Sequence, residues 1–134
     1  MRDEAPCPCG TGLTYAECCA PAHRGTPPAT AEGLMRSRYS AFVLADEAYL
    51  LRSWHPDTRP AAVEPDPDLQ WISLEVLATS GGALFDAEGV VEFRARYRDR
   101  GRPGEMRERS RFVRHAGGWV YWGPILTDRT PRGI

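Results

Sequence analysis

Gly89-Val90-Val91-Glu92-Phe93-Arg94-Ala95-Arg96-Tyr97-Arg98 alternates with a period of two: Val91, Phe93, Ala95 and Tyr97 share one side, and Glu92, Arg94, Arg96 and Arg98 share the other. Successive side chains of a strand point to opposite faces, so the stretch predicts a half-buried β-strand with an arginine-rich outer face. Toward the C-terminus, Arg100 to Glu105 predicts a turn and Met106 to His115 the next strand. Ala116-Gly117-Gly118 predicts another turn and Trp119 to Trp122 the last strand. Toward the N-terminus, Gln70 to Ala78 predicts a strand and Leu84-Phe85 a short one.

The same parity organises Met106 to Arg114. Met106, Glu108, Ser110 and Phe112 point one way, and Arg107, Arg109, Arg111 and Val113 the other. With Met106 and Phe112 on the core side, Glu108 and Ser110 turn inward as well. A carboxylate directed into apolar surroundings must be paired, hydrogen-bonded or protonated, and Arg38 or the Trp54 indole is the partner expected for Glu108. Trp71, Trp119, Tyr121 and Trp122 sit at strand spacing and read as core or cross-strand pairs rather than a cofactor box.

The N-terminal half reads as helices. Residues 20–29, rich in Pro and Gly, predict a linker. Thr30 predicts an N-cap, with Glu32 in the first turn of a helix reaching about Leu44. Leu34, Ala41 and Ala45 lie at helical spacing, flanked by Met35, Tyr39 and Phe42. Arg36 and Arg38 fall on opposite sides, and Arg38 shares the side of Leu34, Ala41 and Ala45. Asp46 predicts a cap for a second short helix carrying Tyr49, Leu50 and Leu51, which stops before Trp54-His55-Pro56. Proline-rich 56–67 reads as a loop with one helical turn after Pro60. Helices followed by an antiparallel meander make an α+β chain.

All four cysteines lie within Cys7-Pro8-Cys9-Gly10-Thr11-Gly12-Leu13-Thr14-Tyr15-Ala16-Glu17-Cys18-Cys19. A close pair, a Gly-containing spacer and an adjacent pair offer four soft thiolates to one tetrahedral ion, the arrangement zinc takes in structural sites. The alternative, a disulfide staple, needs an oxidising compartment. The charged opening Met1-Arg2-Asp3-Glu4 has no apolar run behind it, so a cytoplasmic protein without a membrane span is expected. His23, four residues after Cys19, is a candidate substitute ligand but reads more readily as a surface residue. Four thiolates close the metal's shell and leave no place for a catalytic water.

The 134 residues suffice for one core plus a small appendage, divided here as a zinc knuckle at 1–24 and an α+β domain at 25–134. The formal net charge is −1, yet nine arginines between Arg94 and Arg114 face only Asp99, Glu105 and Glu108. That asymmetry raises nucleic-acid binding as a question. Phe93, Tyr97 and Phe112 lie opposite most of these arginines, so stacking and phosphate contacts would not coincide, and nucleic acid is not the expected partner.

Several of these motifs occur together in one known family. The cysteine segment resembles the SEC-C motif, the zinc-binding tail of the preprotein translocase ATPase. Leu34-Met35-Arg36-Ser37-Arg38-Tyr39-Ser40-Ala41-Phe42, Tyr49-Leu50, Trp54-His55-Pro56 and Glu108-Arg109-Ser110-Arg111-Phe112 resemble the bacterial YchJ family. The resemblance implies a nuclear transport factor 2-like domain, in which helices pack on a strongly curved antiparallel sheet around a cone-shaped pocket. It also implies Cys7, Cys9, Cys18 and Cys19 as ligands of a structural zinc. Thr11 stands where many SEC-C motifs have Ser. Leu13-Thr14 stands where they often carry basic residues, which removes charge that could face an acidic partner.

The functional expectation is an interaction protein: the knuckle docks a protein partner, and the cone domain serves as scaffold or holds a small apolar ligand. Arg38, Tyr39, Trp54 and Ser110 are the expected pocket residues. The alternative is a pocket enzyme in which Glu108 or His55 acts as acid or base on a small apolar substrate. The oligomeric state is open, a dimer included.

Overall fold

The computed structural model describes residues 3–64 and 66–125. A 3-10 turn, Tyr15–Glu17, and three helices precede the sheet: α1 (Ala20–His23), α2 (Ala31–Val43) and α3 (Glu47–Arg52). Four strands follow, β1 (Leu69–Gly81), β2 (Glu88–Asp99), β3 (Arg102–His115) and β4 (Gly118–Pro124), paired antiparallel in the order β1-β2-β3-β4. Register shifts at Trp71/Ser73, Val76/Ala78 and Arg111/Phe112 place bulges in both outer pairs, and bulges bend a sheet.

The hairpin turns explain two strand boundaries. Asp99 pairs with Arg102 and His115 with Gly118, so each turn has two central residues. Arg100 (φ 53°) and Gly101 (φ 83°), like Ala116 (φ 51°) and Gly117 (φ 84°), take positive φ at both positions, matching the twist of antiparallel strands. The predicted turn over 100–105 is therefore shorter, and β3 begins at Arg102. Leu84-Phe85 is no strand. It lies at the tip of the β1–β2 connection, where Phe85 is 94% exposed, and Arg114 holds the carbonyls of Ala83, Leu84 and Asp86.

Helix α2 starts where Thr30 Oγ1 accepts from Gly33 N at 3.0 Å, and α3 where Asp46 Oδ1 accepts from Tyr49 N at 3.1 Å. At its C-terminus, Asp46 N donates to Ala41 O and Ala45 N to Phe42 O, the double closure of a Schellman motif. Ala45 occupies the left-handed position at φ 56° and is exposed, so it ends the helix rather than joining its buried face. The predicted linker contains α1, which tolerates Pro21 because a first-turn proline gives up no needed donor. Among the described residues no helical turn follows Pro60.

Eight of the thirteen α2 residues are buried, because the knuckle covers one side of the helix and the sheet the other. Cys7, Cys9, Tyr15 and Cys19 belong to one continuous core with Leu34, Met35, Tyr39, Phe93 and Phe112. The knuckle is thus built onto the helical layer. Residues 126–134 of the expected domain lie outside the described residues.

Candidate functional site

The four cysteines converge. Their Sγ atoms all lie within 4.8 Å of one another, with Cys9–Cys18 at 3.4 Å and Cys18–Cys19 at 3.9 Å. A tetrahedral zinc with Zn–S of about 2.3 Å requires S–S separations of about 3.8 Å, so the donor set fits such an ion. Local chain geometry brings the arms together. Gly10 N donates to Cys7 O, with Gly10 at φ 85°, and Cys7 N donates to Leu13 O, closing the first arm. Thr14 Oγ1 accepts from Glu17 N, opening the short turn that delivers Cys18 and Cys19.

Burial pushes the Cys18 thiol up to about 11. Cys7 is driven below the ordinary thiol range by S–H donation from Cys19 and Cys9, and that thiolate forces Cys19 upward. Four clustered thiols cannot shed their protons together unless a cation balances the charge, which is the property of a metal centre. Ser40 Oγ from α2 donates to Cys19 Sγ at 3.3 Å and lies 3.5 Å from Cys7 Sγ, while Thr11 Oγ1 lies 3.1 Å from Cys18 Sγ. Arg36 donates to Cys9 O at 3.0 Å. Sequence reasoning missed Ser40. Its only signal was a hydroxyl three residues after Ser37 on a helix with unusually many polar residues.

His23 stands outside the thiol cluster. Its Nε2 lies 2.8 Å from Ser37 O, and a carbonyl only accepts, so Nε2 carries the proton and Nδ1 accepts from Tyr15 OH at 2.6 Å. Both nitrogens are engaged in tying the knuckle to α2.

Glu108 points inward as the parity requires and is 2% exposed. Ser110 Oγ and Tyr121 OH both donate to its Oε2, the latter at 3.1 Å. Arg38 is fully buried, and its charge acts on Glu108. Its guanidinium carbon lies 4.9 Å from the Trp54 ring centroid and 4.6 Å from that of Tyr121, and Nη1 donates to Leu50 O and Ser53 Oγ. Burial lowers Arg38 to about 10 and raises Tyr121, which the Glu108 charge raises further.

His55 has different neighbours. It meets Trp122 and His115 in edge-on ring contacts at 4.9 Å each, and its Nδ1 accepts from Asp57 N. Trp122 in turn lies under Arg111 of the outer face, whereas Tyr121 is buried on the inner one. Glu108 and His55 therefore belong to opposite sides of β4.

An open cleft of about 1270 Å³ lies between the end of α2, residues 60–64 with Asp66 and Pro67, and the paired ends of β1 and β2. Of the expected pocket residues, Trp54 lines it; Arg38, Tyr39 and Ser110 are buried behind it, with Tyr39 edge-on to Trp71 at 6.0 Å. Phe42, Trp71, Tyr97 and Met106 supply much of the apolar wall. Sequence reasoning took Tyr97 only as a core-side residue and did not see the wall.

The arginines of the outer sheet face are largely matched. Arg107 meets Glu92 at 2.8 Å, Arg111 meets Glu88 at 2.9 Å, Arg94 meets Glu75 at 3.5 Å, and Arg96 meets Glu105 at 3.6 Å. Such cross-strand pairs spend the charge that phosphates would need. No helix among the described residues is long and apolar enough to cross a membrane.

Comparison with known proteins agrees with this architecture. Residues 5–21 match the SEC-C motif, and residues 30–124 match the family described as YchJ, middle nuclear transport factor 2-like domain. The chain is 54% identical over 117 residues to a UPF0225 protein of Streptomyces coelicolor, covering 87% of this chain and 91% of that one. It is 49% identical over 122 residues to a UPF0225 protein of Chromobacterium violaceum, covering 87% and 90%. Among solved structures, a SEC-C motif containing protein from Rhodopseudomonas palustris superposes with a TM-score of 0.78 at 33% identity, covering 91% of this chain and 98% of that one. A SEC-C motif containing protein from Psychrobacter arcticus gives 0.75 at 28%, covering 98% and 88%. With a SEC-C motif whose thiols meet at one point, a nuclear transport factor 2-like domain behind it and relatives at this identity over most of its length, the chain belongs to the YchJ (UPF0225) family.

Proposed function

We propose that the chain is a zinc-stapled binding and adaptor protein, in which the cleft holds a small ligand and the knuckle presents a surface to a protein partner. The observation that carries this reading is the placement of chemistry relative to the cleft. Its wall combines aromatic and aliphatic side chains with Glu47, Glu64, Asp66 and Asp99, while the buried carboxylate Glu108 does not line it and is engaged by Ser110, Tyr121 and Arg38. A group so committed is poorly placed for proton transfer to a ligand, and His55 lies on the other side of β4. Binding is favoured over acid–base catalysis on these grounds.

The metal is structural in this reading. Four thiolates leave no open coordination position, and three of the four cysteines are buried. When bound, zinc supplies the folding energy that the short knuckle cannot gain from its own core. The turn Gly10–Leu13 remains exposed, with Leu13 49% accessible, and is the face offered to a protein partner. The four free thiols suit the reducing cytoplasm. The ion pairs of the arginine face argue against nucleic acid as the partner.

Native mass spectrometry of untagged protein purified without chelator tests both halves. The expected mass excess is one zinc, plus a non-covalent organic adduct that leaves on activation. Protein free of metal would remove the knuckle half. Zinc without any adduct, together with no response of Trp54 or Trp71 to added small molecules, would remove the cleft half.

A further inference from the structure

We propose that the cleft selects organic cations, specifically ammonium groups carried on an apolar body; the inference rests on the reading of the cleft as a ligand site. Two features of the wall converge on this chemistry.

The first is an aromatic wall. Trp71 and Tyr97 are directly opposed on β1 and β2, with ring centroids 5.8 Å apart and planes at 71°. Phe42, from the last turn of α2, stands 6.0 Å from Trp71 at 59°. All three line the cleft, where the rings pack against one another at steep angles as one aromatic wall. Ring faces carry the negative part of the aromatic quadrupole, so a face of that wall open to the cleft attracts an ammonium group.

The second is charge. Glu47, Glu64, Asp66 and Asp99 line the cleft, and no arginine does, although the chain has 17 of them. Among the described residues none of these four carboxylates forms an ion pair, whereas the carboxylates of the outer sheet face are matched by arginines. Asp99 lies two positions after Tyr97 on β2, hence on the same face; it stands opposite Leu69 of β1, two positions before Trp71, and opposite Arg102 of β3, with which it forms no ion pair among the described residues. One carboxylate therefore stands next to the aromatic wall along the strand. Glu47 is partly engaged by Val63 N at 2.9 Å, and Asp66 by Asp68 N at 2.9 Å, which leaves Asp99 and Glu64 as the principal counter-charges. A carboxylate at the rim of an aromatic corner attracts a cation, repels an anion and leaves a neutral group indifferent.

The test uses three probes with the same phenyl ring and two-carbon chain: phenethylammonium, 2-phenylethanol and 3-phenylpropionate. Each is titrated into the zinc-loaded full chain while the Trp71 ring signals are followed by NMR. Phenethylammonium is expected to bind about tenfold more tightly than 2-phenylethanol, with 3-phenylpropionate weakest. In Asp99→Asn, a near-isosteric change whose folding is checked by its melting curve, the cation-to-alcohol ratio is expected to fall at least about threefold. Equal or tighter binding of the alcohol, or an Asp99→Asn ratio as large as the parent's, overturns cation selection while leaving the ligand site standing. If none of the three moves the Trp71 signals at tens of millimolar, the inference and the ligand site fall together.

Discussion

Ser40 Oγ, on the central helix α2, donates a hydrogen bond to Cys19 Sγ at 3.3 Å, so the helix that closes the sheet is bonded directly to the thiol cluster. The same hydroxyl lies 3.5 Å from Cys7 Sγ, bringing one side chain against two of the four thiols. Groups that orient metal ligands from behind typically change metal affinity by about 10- to 100-fold when removed. Ser40→Ala is expected to weaken zinc binding within that range, measured by competition with a chromogenic chelator, and Ser40→Thr to recover part of it. Affinity unchanged in Ser40→Ala would show the contact to be incidental.

Zinc removal should reach the whole domain. Cys7, Cys9 and Cys19 pack in one core with Leu34, Met35 and Phe93, so losing the metal loosens the layer over the sheet as well as the knuckle. A strong chelator is expected to lower Tm on the order of 10 °C, with near-ultraviolet circular dichroism and tryptophan fluorescence changing together. A sheet transition unaffected by chelation would mean that the knuckle folds separately.

The buried charges form a second test. Arg38 and Glu108 are both almost fully buried, and removing one member leaves the other without compensation. Glu108→Ala is expected to cost about 3–5 kcal/mol in urea unfolding, and Tyr121→Phe about 1–2 kcal/mol for the lost hydrogen bond. The double change Arg38→Met with Glu108→Leu should be less harmful than either single loss. A loss below about 1 kcal/mol for Glu108→Ala would show that the pair is not strongly coupled to folding.

Buried tyrosines set the alkaline limit. Burial raises Tyr39 from its ordinary value of 10.0 to about 12, and also raises Tyr49 and Tyr121. The folded state holds these protons more tightly than the unfolded chain, so stability falls as pH rises from about 10 through 12 and is fully present below 10. Unfolding midpoints at pH 8, 10 and 11.5 measure the slope, and Tyr39→Phe should flatten it. An identical slope in Tyr39→Phe would assign the alkaline loss elsewhere.

Ala45 offers a stabilising change. It fills the left-handed position of the α2 Schellman motif at φ 56°, where a side chain costs about 1–2 kcal/mol and glycine does not. After glycine's greater freedom in the unfolded chain is subtracted, Ala45→Gly is expected to add about 0.5–1 kcal/mol. Thermal melts would refute this with any decrease in stability.

Sequence determined the features that are local. The period-two pattern of 89–98 and 106–114 put Val91, Phe93, Glu108 and Ser110 inside, because strand side chains can only alternate. Thr30 and Asp46 marked helix starts because their side chains cap donors three residues away, and the cysteine spacing marked four thiols able to meet at one point. Tertiary structure alone decided what those residues do together. It sealed Arg38, Tyr39 and Ser110 behind the cleft, parted His55 from Glu108 across β4, and brought Ser40 to the thiols. It also formed the aromatic corner from Phe42, Trp71 and Tyr97. These outcomes depend on where α2 lies between knuckle and sheet and on how the bulged strands bend, and both are set by contacts between residues far apart in the chain.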